Sequence, residues 1–292
     1  MKRIVWILFL VSTLNFVRAN DIDNLKTKAE VENFLVQKVD TAWSKHNFFE
    51  SMNDKDTSSF GKGKFLKLDL DNNGLTDLVI NGRYFFAVTD DGNGHYASHF
   101  IDRGSFMLDK HALKNIVYKN KIPLLVVAKY NEYSREIDAN SKADTLILVY
   151  GGFYEFNSAP DNFKIDEIRF STSPCYGTCP VFDLTIKGDR RASYNAKQYN
   201  EREGEFKTTI DSISYHKLVQ TINYIKLTTL KDQYSVNWSD DQTVTLEIKF
   251  NNGQTKKISD YGEIGTFGLE HLYEKLFSMP KTQKWKNKKS NH

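Results

Sequence analysis

Two short stretches of the 292-residue chain hold the residue types that could do chemistry. The first, SPCYGTCPVF over 173–182, carries the only two cysteines, Cys175 and Cys179. A pair at this spacing could be a redox centre, half of a metal site or a covalent clip. Structural zinc wants four ligands, and no histidine or further cysteine lies nearby in sequence. Redox cysteines favour C-x-x-C at a helix start, where the first sulfur is held as thiolate; here three residues intervene and no helix clearly begins at Cys175. A disulfide needs Cα atoms within about 7 Å, whereas an extended i, i+4 pair stands roughly 13 Å apart. The chain must therefore coil between the sulfurs, and Gly177 at the centre permits such a bend. Closing so short a loop removes roughly 2 kcal/mol of unfolded-state entropy, so the clip would fix local shape more than global stability.

The second stretch is DLDNNGLTD, 69–77. It sets Asp69, Asp71 and Asn73 at loop positions 1, 3 and 5, Gly74 at the sharp turn of position 6, and Asp77 at position 9. Alternating oxygen side chains on a tight turn can converge on a hard cation such as Ca²⁺, which takes several oxygens at short distance. Leu75 would add its backbone carbonyl. At position 12, where an EF-hand has a bidentate glutamate, this chain has Ile80 in a strand-like run, which excludes an EF-hand. The loop resembles instead that of FG-GAP and VCBS-type repeats, D-x-[DN]-x-[DN]-G-x-x-D followed by an apolar strand. The resemblance implies Asp69, Asp71, Asn73, Leu75 and Asp77 as calcium ligands, with weak affinity on the order of 10⁻⁴ to 10⁻³ M. Without an ion the same residues make an ordinary Asp/Asn/Gly turn.

Other candidates have plainer readings. His95 and His99, in HYASH, could share a face and bind a metal, but no carboxylate is placed with them and they read as surface or turn residues. Asp240 and Asp241 could form an acid/base pair, although neighbours on an extended segment point apart. The aromatics of YGGFYEF, 150–156, and Trp238 could stack on sugars or fill a β-rich core. TDDGNG, 89–94, reads as a turn. No G-x-S-x-G, H-E-x-x-H, P-loop or G-x-G-x-x-G occurs.

These residues need elements to position them. Thr27 and Glu30 form a capping box, and Val31, Phe34, Leu35 and Val39 share one helical stripe. From residue 64 the pattern changes to short strands, KFLKL, DLVI, YFFAV, LLVVAKY and TLILVY, separated by Asp/Asn/Gly clusters. In the second half IDEIRF, VFDLTIKG, RASYNA and FKTTI read as strands, and Tyr215, Leu218, Val219 and Ile222 as one face of a helix. TVTLEIKF and KKISDY are joined by NNG, a hairpin signal. A last helix starts near Thr266 and stops at Pro280. The expectation is an α+β protein: an N-terminal helix plus a mainly antiparallel β-sheet domain over 20–157, then a C-terminal α+β sandwich of about six strands and two helices over 163–279. NSAPDN, 157–162, marks the break, and the lysines of 280–292 read as a basic disordered tail.

Lys2 and Arg3 precede the apolar run IVWILFLVSTLNFV, and VRA precedes Asn20, so residues 1–19 read as a signal peptide cleaved between Ala19 and Asn20. The run is about 14 residues, short of the roughly 20 that span a bilayer, so no transmembrane segment is expected after cleavage. Removing Lys2, Arg3 and Arg18 takes the formal charge from +3 to 0, which argues against nucleic acid as a partner. An exported chain meets oxidising surroundings, where two close thiols join.

SPCYGTCPVFDLTIKGDRRASY, then YHKLVQTI, DQYSVNWSDDQTVTLEI and KKISDYG, resemble the bacterial family catalogued as domain of unknown function 6438, whose hallmark is C-x-G-x-C-P-x-[YF] leading into a strand. The resemblance runs from about 165 to 279 and implies an envelope or secreted bacterial protein, without supplying a catalytic residue. The functional expectation is a periplasmic or secreted, non-enzymatic binding protein with a weak calcium loop and a protein or glycan partner. The alternative is a hydrolase with a carboxylate site the sequence does not pick out. An enzyme should show a cavity where perturbed titratable groups converge, and a binding module an exposed apolar or aromatic patch.

Overall fold

A computed structural model describes residues 20–49, 63–104, 109–131, 136–138 and 141–288. The expected leader, with Ala19 of the cleavage pair, lies outside these residues. Asn20 caps a 3₁₀ turn at Asp21–Asn24 and donates its side-chain amide to Thr76 O (2.6 Å).

The capping box forms as its residues dictate: Thr27 and Glu30 exchange side-chain and backbone bonds at the start of α1 (Lys28–Phe34), and Leu35–Val39 continues it with a π turn. Two antiparallel sheets follow where the strand pattern suggests one. The first runs in the order β1 (Lys64–Leu68), β2 (Asp77–Asn81), β3 (Phe85–Asp90) and β4 (Tyr96–Phe100). β2 and β3 are buried on both faces, with α1 and Trp43 over one side and the second sheet over the other. That sheet pairs β5 (His111–Lys119) with β6 (Ile122–Asn131), β8 (Asp144–Val149) and β9 (Gly152–Glu155), and β7 (Glu136–Ile137) adds to β6.

The second half forms one eight-stranded sheet. Its members in chain order are β10 (Ile165–Thr172), β11 (Val181–Lys187), β12 (Arg191–Gln198), β13 (Gly204–Thr209), β14 (Gln233–Ser235), β15 (Thr243–Phe250), β16 (Gln254–Tyr261) and β17 (Lys286–Asn287). The spatial order is β14-β16-β15-β10-β11-β12-β13-β17, antiparallel except for β14 on β16. Strand residues alternate, so one face is apolar. Val244, Leu246, Ile248, Ile168 and Leu184 pack there against α2 (Ser212–Tyr224) and α3 (Phe267–Thr282). The other face carries Glu167, Arg169, Lys187, Glu247 and Lys249 in a ladder of ion pairs. The NNG turn adopts the left-handed conformation at Asn251 and Asn252 that a tight hairpin needs.

Two expectations are corrected. The tail is not a solvated end as far as residue 288. Pro280 lies in the last turn of α3, where few helical bonds remain for its ring to break, and the helix continues to Thr282. Trp285, 8% exposed, packs on Tyr194 and donates to Met279 O (3.1 Å), and Lys286–Asn287 pairs with β13. The segment at 157–162 is also no free linker. Asn157 is buried and bonds the Tyr224 carbonyl (2.7 Å), and Tyr154, from the first half, lies in the core of the second. The halves are tied further where Glu155 accepts from the backbone of Phe267 (2.6 Å) and Gly268 (3.0 Å), satisfying bare donors at the start of α3. Gly152 lets the His271 ring lie against this seam, because a Cβ there would stand 2.3 Å from the ring and displace it.

Candidate metal loop and acid-lined cavity

The loop between β1 and β2 brings three of its expected ligands together. Oxygens of Asp69, Asp71 and Asp77 lie within 4.8 Å of one another, about twice a typical Ca–O distance of roughly 2.4 Å. Left-handed backbone at Asn72 and Gly74 bends the chain into this turn. Asp69 accepts from Asn73 N (3.1 Å) and Gly74 N (3.0 Å), while Asp77, fully buried, accepts from Leu70 N (2.7 Å) and Asp90 N (3.0 Å). Burial, with Asp71 and Asp69 close by, pushes the Asp77 carboxyl up to about 7. A divalent cation would relieve that repulsion, so the donor set fits a hard ion. The Asn73 amide nitrogen goes to Asp71 (3.2 Å) and Asp90 O (2.8 Å), and its oxygen accepts from Leu75 N (2.7 Å). TDDGNG forms the turn from β3 to β4.

The cysteines form a disulfide with Cα atoms 5.8 Å apart. The clipped loop leaves β10 and re-enters at β11, and both ends are tied to the start of β15. Ser173 exchanges backbone and side-chain bonds with Thr243, and the Gln242 amide nitrogen binds Ser173 O (2.6 Å) and Pro180 O (3.0 Å). Tyr176 stands on this loop at 88% exposure.

Beside the clip opens a cavity of about 440 Å³ whose lining the sequence analysis does not name as a site. Pro180, Asp241, Gln242, Glu263, Glu270 and Glu274 line it. Each acid arrives by a different device. Asp241 is steadied by Trp238 Nε1 (2.5 Å). Glu263 sits in left-handed backbone in a turn that buried Asp260 holds by accepting from Ile264 N and Gly265 N (both 2.9 Å). Gly265 leaves room for that carboxylate, since a Cβ would stand 2.7 Å from it and force a shift. Glu270 and Glu274 lie one turn apart on α3, with Glu270 3.8 Å from buried Arg103 and Glu274 2.8 Å from His271. Burial raises Glu263 to about 7, helped by Asp260 and Asp241. Burial likewise raises Glu270 to about 7, with Glu274, Asp109 and Glu263 adding to it against Arg103. Like charges at i, i+4 are unfavourable on a helix, so the Glu270–Glu274 pair was the signal in the sequence.

The remaining candidates have structural partners. His95 faces Asp91 (3.5 Å) and His99 bonds Thr89 (3.0 Å). Asp240 is exposed, its carboxyl beside Ser239 (3.2 Å). Phe153 and Tyr154 of the YGGFYEF run are buried core residues, which leaves Tyr150 as its most exposed ring.

An α+β unit of one antiparallel sheet under two helices, with a disulfide loop at one corner, is what the second half defines. Residues 166–280 match the family described as Domain of unknown function (DUF6438), so this part of the chain is similar to that family. The match spans β10 to Pro280 and takes in the clip and the acids of the cavity. No curated protein matches the chain. Among the described residues no helix is long and apolar enough to cross a membrane.

Proposed function

We propose that the protein is an exported binding protein of the bacterial envelope, with no reaction of its own, whose N-terminal unit is braced by a weakly held calcium-type cation at 69–77. The partner is a protein or a glycan. The carrying observation is the closure of the Asp69, Asp71 and Asp77 oxygens to within 4.8 Å. Tyr176, presented on a covalently clipped loop, supports binding, because an exposed aromatic on a fixed turn is a ready contact at low entropic cost. Melting of the protein in about 5 mM CaCl₂ against EDTA tests the cation. Ten-fold saturation adds about 1.4 kcal/mol, so the midpoint should rise by roughly 2–4 °C, and Asp77→Asn should remove the rise. Reductant should lower stability by roughly 2 kcal/mol. Midpoints unmoved by calcium and by reductant would overturn both sites.

One observation favours a second reading, acid–base catalysis: Glu263 and Glu270 both rise to about 7 in a single cavity. Turnover of p-nitrophenyl glycosides or esters, lost in Glu270→Gln, would support it, and inert protein across that panel would count against it.

A further inference from the structure

The cavity beside the disulfide has a lining of one sign. Asp241, Glu263, Glu270 and Glu274 face it, and among the described residues no lysine or arginine lines it. It is not a metal cage. Among the described residues the Asp69 loop alone gathers three such side chains with atoms within 4.8 Å, so these four carboxyls are spread over a wider space. A volume of about 440 Å³ suits an organic group rather than a bare ion.

Two groups on the wall lack partners. Glu263 makes no hydrogen bond or ion pair with any described residue, although its carboxyl is half-buried. Gln242, 5% exposed, has its amide nitrogen fixed on Ser173 O and Pro180 O, which leaves Oε1 with no donor among the described residues. That oxygen opens on the cavity, so its donor comes from water or from a ligand held there. Both groups call for the same complement, a cation carrying several N–H donors.

A second groove of about 270 Å³ shares Pro180 and Phe277 with this cavity and is lined by Phe182, Tyr194 and Tyr199, the last 57% exposed, alongside Glu201, Arg202 and Lys281. The pair is therefore an acidic pocket joined to an aromatic one, with the clipped loop at their boundary. We propose that this double site holds an extended segment of a partner protein, taking the charged end of a lysine or arginine in the acidic pocket and the adjoining apolar residue in the aromatic groove. An ammonium brings three donors and a guanidinium five, and charge-assisted bonds to carboxylates are the strong class. The inference rests on the binding reading above but not on its cation loop.

Calorimetric titration with acetyl-Ala-Lys-Phe-Ala-amide tests it, against the same peptide acetylated at the lysine nitrogen. The charged peptide should bind and the acetylated one at least about ten-fold more weakly, since its ammonium is gone. Glu263→Gln should weaken the charged peptide by about ten-fold, while the exchange Asp189→Asn, at an exposed acid outside the cavity lining, should leave its affinity unchanged. Equal binding of the two peptides, an unaffected Glu263→Gln, or no heat with the charged peptide at about 10 mM would overturn the proposal. Tighter binding of spermidine than of the peptide would overturn the partner assigned. Failure here with the calcium-dependent melting intact would strike the cavity alone, and the reverse would strike the loop alone.

Discussion

Replacing Arg103 with alanine should cost about 3–5 kcal/mol, the range for stranding the partner of a buried ion pair. The guanidinium is 7% exposed, lies 4.0 Å over the Phe267 ring, and bonds Asp109 (3.0 Å) and the Gly265 carbonyl (3.3 Å). It thus holds the start of α3 against the β-sheets of the first half. Burial alone would push the Asp109 carboxyl up, but His111, Arg103 and Lys129 hold it below the usual carboxylate range. Without Arg103, Lys129 (2.9 Å) and His111 (3.7 Å) remain, of which His111 is kept neutral by burial that lowers it to about 4. Arg103→Lys should recover only part of the loss, because an ammonium cannot fork between carboxylate and carbonyl or stack on a ring in the same way. Urea unfolding of the three proteins would measure this, and a loss below about 1 kcal/mol for alanine would show that the pair adds little to the seam.

Raising the pH from 5 to 8 should destabilise the protein by about 3 kcal/mol or more, since Glu263 and Glu270 each lose roughly 2.5 kcal/mol over this window, Asp77 adds to them and His111 returns roughly 2 kcal/mol. Glu263 and Glu270 lie near 7 when folded and near 4.5 when unfolded. The folded state therefore holds more protons between these values. Their contribution is fully present below 4.5 and is lost as pH rises through 7. His111 acts in the opposite direction. Lowered from 6.5 to about 4 by burial, it contributes stability above 6.5 that is lost as pH falls through 4. The double variant Glu263→Gln with Glu270→Gln should lower the alkaline limb to the part that Asp77 carries and leave the acid limb in place. Chemical denaturation at several pH values would show it, and an alkaline limb unchanged in the double variant would place the effect elsewhere.

Local patterns were legible and distant encounters were not. The Thr27 capping box, the Asn251–Asn252 turn, the Thr266 cap and the Cys175–Cys179 clip each depend on residues a few positions apart, and each sits where spacing places it. The three carboxylates of the 69–77 loop come from the same short range. β4 and the outer half of β5 are half-exposed or exposed, so they lack the apolar run that marked their neighbours. The cavity draws on residues 180, 241, 263, 270 and 274, which meet only through the pairing of β15 with β16 and the placement of α3. The lysines after Pro280 outweighed Trp285 in reading the tail, yet one buried indole is enough to fix the backbone around it.

The eight-stranded sheet ends on one side in the three residues of β14 and on the other in the two of β17, which carries Lys286 and is followed by Lys288 paired with Glu205. Short end strands, one of them lysine-bearing, shorten the margin a neighbouring molecule could zip onto, since β14 covers Ser259–Tyr261 of β16 and β17 covers Phe206 and Lys207 of β13. A sheet this wide would otherwise be a template for fibrous self-association, so its last few residues act as a guard on colloidal solubility as well as a closing strand.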